Sequence, residues 1–162
     1  MSKKYALVTG ASSGIGLEIS KCLARRGYSL VLVARREKKL RNISQKIIND
    51  YNVNANYIVI DLEDPKSPQA IYDYCQNKGY FISLLVNNAG YALPTPFHKT
   101  IMDAEEKFLR VLGIAVVALT KLFINDMISA KKGNIYATAR PIHIGKKTHL
   151  WEIKVIDEND ML

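Results

Sequence analysis

The chain has 162 residues, 48% of them hydrophobic, and a formal net charge of +8 at pH 7. A chain of this length and apolar content can bury one sizeable core, which predicts a single domain. No apolar stretch reads as long enough to cross a membrane, so the composition predicts a protein without a membrane partner.

The positive charge raises the question of a nucleic-acid or acidic-membrane partner. The densest basic run, residues 35–41, is interrupted by Glu37 and Leu40. It lies at the start of a predicted amphipathic helix, whose solvated face normally carries basic side chains. Aromatic side chains do not alternate with the basic ones, as they would in a protein that stacks on single-stranded bases. The charge pattern therefore predicts no nucleic-acid partner.

The N-terminus, the cysteines and the histidines predict a cytoplasmic protein without a metal site. Met1 to Lys4 leads directly into a predicted strand with no apolar signal region between them. Cys22 and Cys75 are too far apart in sequence for a redox pair and are interpreted as reduced core residues. The histidines have neither metal-ligand spacing nor acidic partners nearby.

A glycine-rich segment, residues 9–16, follows the apolar run Tyr5–Val8 and opens a helical pattern. Glycine allows the tight turn that joins a strand to a helix, and it lets the backbone approach a pyrophosphate without a side chain in the way. The amide groups and the dipole at the start of the helix then face the anion. A strand, a glycine turn and a helix in this order predict a cradle for dinucleotide phosphates.

Strand and helix patterns alternate along the rest of the chain. The predicted strands are residues 5–8, 29–34, 57–60, 84–86 and 134–138. The predicted helices follow the glycine motif, centre on residues 40–47, and span residues 68–78 and 103–131. This alternation predicts an α/β fold with a doubly wound parallel sheet and a ligand at the carboxyl ends of the strands.

Two further motifs agree with the glycine segment, namely Asn87-Asn88-Ala89-Gly90 and Asp61-Leu62 after the third predicted strand. With them the chain resembles the short-chain dehydrogenase/reductase family from about Lys4 to Thr138. The resemblance implies a Rossmann fold, incomplete at its C-terminal side, that binds a nicotinamide dinucleotide. The residues that it assigns to the cofactor are Gly10, Ser12, Ser13, Gly14, Ile15, Gly16, Arg35, Asp61, Leu62, Asn88, Ala89 and Gly90.

The end of the second predicted strand bears on the choice of cofactor. An NAD site usually has a carboxylate there to accept from the ribose hydroxyls, whereas this chain has Ala34 followed by Arg35. In family members with this pattern the arginine pairs with the 2′-phosphate of NADP, a task that suits a guanidinium. The resemblance therefore implies NADP, with NAD the weaker alternative. A solvated arginine at the start of a helix is the simpler alternative role for Arg35.

The family's catalytic residues are not found in this sequence. Active members use a tyrosine, a lysine four positions later and a serine at the end of the fifth strand. The serine position corresponds to Arg140, and residues 139–162 contain no Tyr-Xaa-Xaa-Xaa-Lys. Tyr74 and Lys78 have the spacing, but they precede the Asn87 motif on a helix expected outside the sheet. We therefore predict no catalytic residue.

The C-terminal segment differs from the family. We divide the chain into a cofactor-binding part, residues 1–138, and a divergent tail, residues 139–162. In the tail, residues 141–147 replace the loop expected from the family, and Trp151, Ile153 and Val155 predict an edge strand. The pattern suggests a truncated or frame-shifted product, or a chain evolved for another use. An apolar stripe in the long predicted helix would then lack its usual cover, which predicts self-association. The stripe consists of Leu112, Val116, Leu119, Phe123 and Met127.

Two functions therefore remain open. The first is an NADP-dependent oxidoreductase that transfers hydride between the nicotinamide and a carbonyl or alcohol substrate, impaired in this chain. The second is a dinucleotide-binding module without catalysis. The substrate cannot be named from these residues.

Overall fold

The structure, a computed structural model, describes residues 4–130 and the backbone of two further strands at residues 140–144 and 149–152. Its strands are β1 (Tyr5–Thr9), β2 (Ser29–Ala34), β3 (Ala55–Val59), β4 (Ile82–Val86), β5 (Arg140–Ile144) and β6 (His149–Glu152). Its helices are α1 (Gly14–Arg25), α2 (Glu37–Tyr51), α3 (Ser67–Asn77), α4 (Met102–Leu109) and α5 (Ala115–Ser129). A 3₁₀ turn spans Phe97–Lys99, and a π-helical segment, Arg110–Ile114, joins α4 to α5.

The first four strands form a parallel sheet in the order β3-β2-β1-β4. Leu7 at the centre of β1 stands opposite Val31 of β2 and Leu85 of β4. Each connection between parallel neighbours passes through a helix, as parallel pairing requires. The predicted α/β Rossmann fold is confirmed, and the order places β1 at the point where the chain changes direction across the sheet.

Both faces of the sheet are covered, because successive side chains of a strand point to opposite sides. Ala6 and Val8 of β1 pack with Leu23 of α1 and with Leu40 and Ile47 of α2. Leu7 points to the other face, where the core includes side chains from α3 and α5. Strands β1 and β2 are therefore buried on both sides, which is typical of the central strands of a parallel sheet.

The long helix packs its apolar stripe on the sheet, which corrects one expectation. Leu119, Phe123 and Met127 are buried in the core, so most of the stripe that we expected to lack cover is covered. The expectation was wrong because these side chains pack against the sheet of the same domain and need no partner to bury them. Other apolar side chains remain exposed on this helix, among them Val117 at 67% and Ile128 at 64% exposure.

The expectation that no segment could span a membrane is also wrong by length and composition. The continuous helix Met102–Ser129 has 28 residues, its most apolar stretch has a mean hydropathy of 1.9, and 28% of that stretch is buried. Charged residues such as Lys121 and Asp126 interrupt the sequence, and this made the apolar stretch look shorter than it is. A core helix of a soluble protein meets the same criteria, so the finding does not assign a membrane span.

The tail departs from its expected form. Residues 140–144 form β5, which pairs antiparallel with β6, largely within the segment that replaces the family's expected loop. The alternation of Ile142 and Ile144 with polar neighbours in this segment is typical of a strand, a signal that the family comparison obscured. The expected strand near Trp151 is present as β6, while Ile153, Val155 and the fifth predicted strand at residues 134–138 lie outside the described residues.

The two cysteines are not bridged to each other, and they differ in environment. Cys75 on α3 is fully buried in the core, whereas Cys22 on α1 is half-buried. Burial raises the pKa of the Cys75 thiol from its ordinary value near 9 to about 12. Within the described residues Cys75 is therefore an apolar packing group rather than a nucleophile.

Candidate functional site

A cleft of about 280 Å³ opens at the carboxyl ends of β1 to β4. Of the predicted residues, those that line it are Gly10, Ser12, Ser13, Arg35, Asp61, Leu62, Ala89 and Gly90. Gly14, Ile15, Gly16 and Asn88 do not line this cleft. The three motifs, far apart in sequence, thus meet at one edge of the sheet, where an open α/β sheet binds its ligands.

The glycine segment, residues 9–16, is in direct contact with the motif Asn87-Asn88-Ala89-Gly90, called the Asn88 motif below. A Cβ atom on Gly10 would lie 2.8 Å from Asn88 Nδ2 and 2.9 Å from Ala89 Cα. A Cβ atom on Gly16 would collide with the same amide and would lie 2.6 Å from the carbonyl oxygen of Gly10. Gly16 and Asn88 therefore form the wall behind the cleft, which explains why they do not line it.

Thr9, the last residue of β1, fixes the Asn88 motif to the glycine segment. Its buried hydroxyl accepts hydrogen bonds from the backbone N–H groups of Asn88 and Ala89, both at 3.0 Å, and donates one to the Val86 carbonyl at 3.3 Å. The Asn88 side-chain amide donates to the Thr9 carbonyl at 2.9 Å. The pairing between β1 and β4 ends at Val86. Beyond that residue, these hydrogen bonds hold the loop after β4 at the cleft.

The start of α1 has the features of an anion site. Gly14 has a φ of +59°, and a Cβ atom there would meet nothing within 4 Å, so the space above it is open. Ser13 stands at the helix N-cap, but its side chain caps no amide among the described residues. The first amides of α1 therefore remain available to a phosphate group. Ile15, the next residue, is 59% exposed beside this opening.

Arg36, which the sequence analysis did not select, lies over the glycine segment. Its Nε and Nη2 donate to Ser12 Oγ at 3.2 and 2.8 Å, and Nη2 also donates to Ser13 Oγ at 2.6 Å. The guanidinium thus brings a positive charge and two hydroxyl groups together at one side of the cleft. Such a set is suited to an anion, because guanidinium and hydroxyl groups both hydrogen-bond to phosphate oxygens.

Arg35 points in a different direction from Arg36. Its Nη1 lies 3.3 Å from Asp61 Oδ2 and 3.5 Å from Glu63 Oε1, both in the segment after β3. The Asp61 carboxylate also accepts the backbone N–H of Glu63 at 3.0 Å. The side chain of Arg35 is 60% exposed, so these pairs lie at the mouth of the cleft, where ion pairs contribute little to folding.

Tyr91, also missed from the sequence, closes the other side of the cleft. Its ring packs edge-on against Phe108 at a centroid distance of 5.7 Å. Burial raises the pKa of Tyr91, and the charge of Glu63 and a hydrogen bond with it add to the rise. Arg35, Glu63 and Tyr91 are thus connected across the mouth of the cleft.

The π-helical segment reaches the cleft as well. Val111 lines it, and Leu112 lies so close to Gly90 that a Cβ atom on Gly90 would be 2.7 Å from Leu112 Cδ2. The helix therefore supports the Asn88 motif from the side opposite to Thr9. A π-helical turn within an α-helix is often found at functional sites.

These features fit the adenosine and phosphate part of a nicotinamide dinucleotide. The backbone at Gly10 and Gly16 leaves no room for side chains, the start of α1 has free amides, and Arg36 adds a cation. When bound, such a cofactor would supply the hydride of a redox reaction. Within residues 4–130 we find no group of three histidine, cysteine or acidic side chains that could hold a metal ion.

Of the residues considered for catalysis, Tyr74 is not brought to this cleft. Tyr74 packs edge-on against Tyr80, which itself stacks on Tyr5 at 4.3 Å, at the opposite end of β1 from the cleft. Tyr136 and Thr138 lie outside the described residues, and Arg140 is described only by its backbone in β5.

Comparison with known proteins identifies the family. The sequence profile described as short chain dehydrogenase matches residues 4–140. The chain belongs to this family. A very-long-chain 3-oxoacyl-CoA reductase of Pyrenophora tritici-repentis is 31% identical over 139 residues, which cover 83% of this chain and 41% of the relative. This short-chain dehydrogenase chain thus spans about two-fifths of the length of that curated relative.

Solved structures of similar proteins contain the expected cofactor. The L-sorbose reductase of Gluconobacter frateurii, solved with NADPH and L-sorbose, has a TM-score of 0.75 and 27% identity, covering 80% of this chain and 49% of that protein. A metagenomic short-chain oxidoreductase in complex with NADP has a TM-score of 0.75 and 32% identity, covering 88% of this chain and 66% of that protein. Both likenesses support the binding of a nicotinamide dinucleotide.

Proposed function

We propose that this chain is the cofactor-binding part of an NADP(H)-dependent oxidoreductase that moves hydride to or from a carbonyl or alcohol substrate. The observation that carries the proposal is the position of Arg36, whose guanidinium donates to Ser12 and Ser13 at the glycine segment. Ala34 places no carboxylate at the end of β2. The 2′-phosphate of NADPH would therefore meet a cation and two hydroxyls instead of a negative charge.

Calorimetric titration with NADPH and NADH tests the cofactor preference. A charge-assisted hydrogen bond contributes about 1.5 to 3 kcal/mol, so we expect NADPH to bind at least roughly tenfold more tightly. Arg36→Ala and Arg35→Ala should each reduce this ratio. Arg25→Ala, which removes the same charge at the far end of α1, is the matched control and should leave the ratio unchanged. Equal affinity for the two cofactors in the unaltered chain would contradict the proposal.

A second candidate function, dinucleotide binding without turnover, is favoured by one observation on the sequence. Residues 139–162 contain no Tyr-Xaa-Xaa-Xaa-Lys, and the position of the family serine corresponds to Arg140. A positioned acid contributes roughly 10²- to 10⁴-fold to such a reaction, so this polypeptide should show no measurable NADPH oxidation. The assay uses aldehydes, ketones and quinones. It also includes a 3-oxoacyl-CoA thioester, because the similar protein of Pyrenophora tritici-repentis is named a 3-oxoacyl-CoA reductase. Turnover that Tyr136→Phe abolishes would restore the catalytic alternative.

We also propose that the chain associates with itself through the exposed side of the long helix. Val117 and Ile128 there are 67% and 64% exposed. Exposed apolar side chains of this size favour contact with another apolar surface. A second copy of the chain offers the same surface.

A further inference from the structure

Glu63 lines the cleft together with Arg35 and with Tyr91, the tyrosine that closes the cleft. Its carboxylate is 3.5 Å from Arg35 Nη1, and its negative charge contributes to the raised pKa of Tyr91. Its side chain is only 26% exposed, compared with 43% for Asp61. The backbone N–H of Glu63 is held by the Asp61 carboxylate at 3.0 Å. Glu63 is thus fixed on both sides and lines the cleft.

Arg35 is consequently neutralised before any ligand arrives. The two carboxylates come from the segment after β3, the neighbour of β2, so the ion pairs cross the mouth of the cleft. An incoming phosphate that pairs with Arg35 must share it with these carboxylates or displace them. A ligand that lacks this phosphate has no use for Arg35 and leaves the pairs intact.

We propose that Glu63 is a specificity-determining residue that weakens binding of the 2′-phosphorylated cofactor by competing for Arg35. This inference rests on the proposed function, because it requires that the cleft binds a nicotinamide dinucleotide. Arg36 with Ser12 and Ser13 attracts the 2′-phosphate, and Glu63 opposes it from the other side of the cleft. The ratio of the affinities for NADPH and NADH is then set by the balance of two named side chains of opposite charge.

The size of the effect follows from the exposure of the pair. Ion pairs at the protein surface contribute up to about 1 kcal/mol, which corresponds to a change of up to about fivefold in affinity. Glu63→Gln keeps the shape and the hydrogen-bonding ability of the side chain and removes its charge. We expect this variant to bind NADPH about two- to fivefold more tightly and NADH within about twofold of the unaltered chain.

The experiment is a double-mutant cycle measured by calorimetric titration with NADPH and NADH. The variants are Glu63→Gln, Arg35→Met and the two combined, with Asp50→Asn near the end of α2 as a control for long-range charge. The gain in NADPH affinity should disappear when Glu63→Gln is made in the Arg35→Met chain, and Asp50→Asn should cause no gain. Melting temperatures of all variants check that the fold is retained.

Three results would overturn the inference. The gain could be equal for both cofactors, it could persist without Arg35, or NADPH could bind with no response to Glu63→Gln. Each of these leaves the proposed function intact, because NADPH still binds. Failure of every variant and of the unaltered chain to bind either cofactor would instead contradict the proposed function, and the inference with it.

Discussion

The hydroxyl of Thr9 accepts the backbone N–H of Asn88 at 3.0 Å, and the Asn88 side chain returns a hydrogen bond to the Thr9 carbonyl at 2.9 Å. These residues are 79 positions apart in the chain. The pair joins the end of β1 to the loop after β4, the two segments that form the back wall of the cleft. The position of the loop is therefore set by partly buried hydrogen bonds rather than by strand pairing.

Removing the Thr9 hydroxyl should destabilise the protein. Thr9→Val keeps the shape of the side chain but leaves the backbone N–H groups of Asn88 and Ala89 without their acceptor. We expect a loss of about 2 to 4 kcal/mol in the free energy of unfolding, because each unsatisfied buried group costs about 1 to 3 kcal/mol. Urea unfolding measures it. Thr9→Ser retains the hydroxyl and should cost about 1 kcal/mol, the value of a buried methyl group. Equal losses in both variants would show that the hydroxyl is not the cause.

A methyl group at Gly16 should disrupt the wall of the cleft. Gly16→Ala forces a Cβ atom against the Asn88 amide and the Gly10 carbonyl oxygen, and the second of these belongs to the backbone and cannot swing away. We expect a loss of about 1 to 3 kcal/mol in the free energy of unfolding together with weaker NADPH binding.

The matched control for this change is Gly113→Ala in the π-helical segment. A Cβ atom there meets nothing within 4 Å. Alanine favours a helix over glycine by up to about 1 kcal/mol, so this variant should be as stable as the unaltered chain or more stable. If Gly16→Ala were equally well tolerated, the close contact between the glycine segment and Asn88 would not exist in solution.

The buried thiol of Cys75 should make stability fall at high pH. Its pKa is near 9 in the unfolded chain and about 12 in the folded protein. Between these values the unfolded state has lost the proton and the folded state retains it, so stability decreases as the pH rises from about 9 towards 12. Below pH 9 the thiol is protonated in both the folded and the unfolded state, so its contribution to the free energy of unfolding is fully present.

Thermal unfolding of Cys75→Ala between pH 8 and pH 10.5 measures that contribution. The variant loses packing and is less stable at pH 8, but its melting temperature should decline less steeply with pH than that of the unaltered chain. Burial also raises the pKa values of Tyr72, Tyr74 and Tyr80, so some decline remains in both proteins. Parallel curves would mean that the Cys75 thiol reaches solvent in the folded state.

A charge on the exposed side of the long helix should weaken self-association. Val117→Asp places a carboxylate at a 67% exposed position, where it should reduce association without unfolding the domain. Light scattering at increasing protein concentration measures the mass. Gln45→Asp adds the same charge to the exposed side of α2 and should not change the mass. A monodisperse monomer in the unaltered chain at high concentration would contradict the proposal.

The sequence was sufficient for the fold because its signals are local. The apolar runs of β1 and β2 and the glycine turn before α1 each depend on neighbouring residues, and so could be assigned without knowledge of distant contacts. The Asn88 motif could be placed because the family pattern supplies the long-range information. The tail had neither advantage, so the strand at residues 140–144 was not predicted.

The missed site residues have a different cause. Arg35 and Arg36 are adjacent, and the backbone after β2 decides which of them faces the glycine segment; Arg36 is extended there, with φ −94° and ψ 91°. Arg36 contacts Ser12 and Ser13, whereas Arg35 contacts Asp61 and Glu63. Glu63 and Tyr91 belong to the cleft only because the segments after β3 and β4 approach each other, which is not encoded by any spacing in the sequence.

The π-helical segment determines the directions in which the two halves of the long helix point their side chains. In a regular α-helix, side chains eight positions apart differ in direction by about 80°, so Val111 and Leu119 would point to different sides. The wider turn at Arg110–Ile114 compensates for most of this rotation, and both side chains lie in the same buried cluster. Deleting one of residues 112–114 would restore regular helical hydrogen bonding and leave the two side chains seven positions apart, within about 20° of the same direction, so Val111 should keep its place at the cleft. The irregularity thus keeps the two halves of the helix in phase with a single surface.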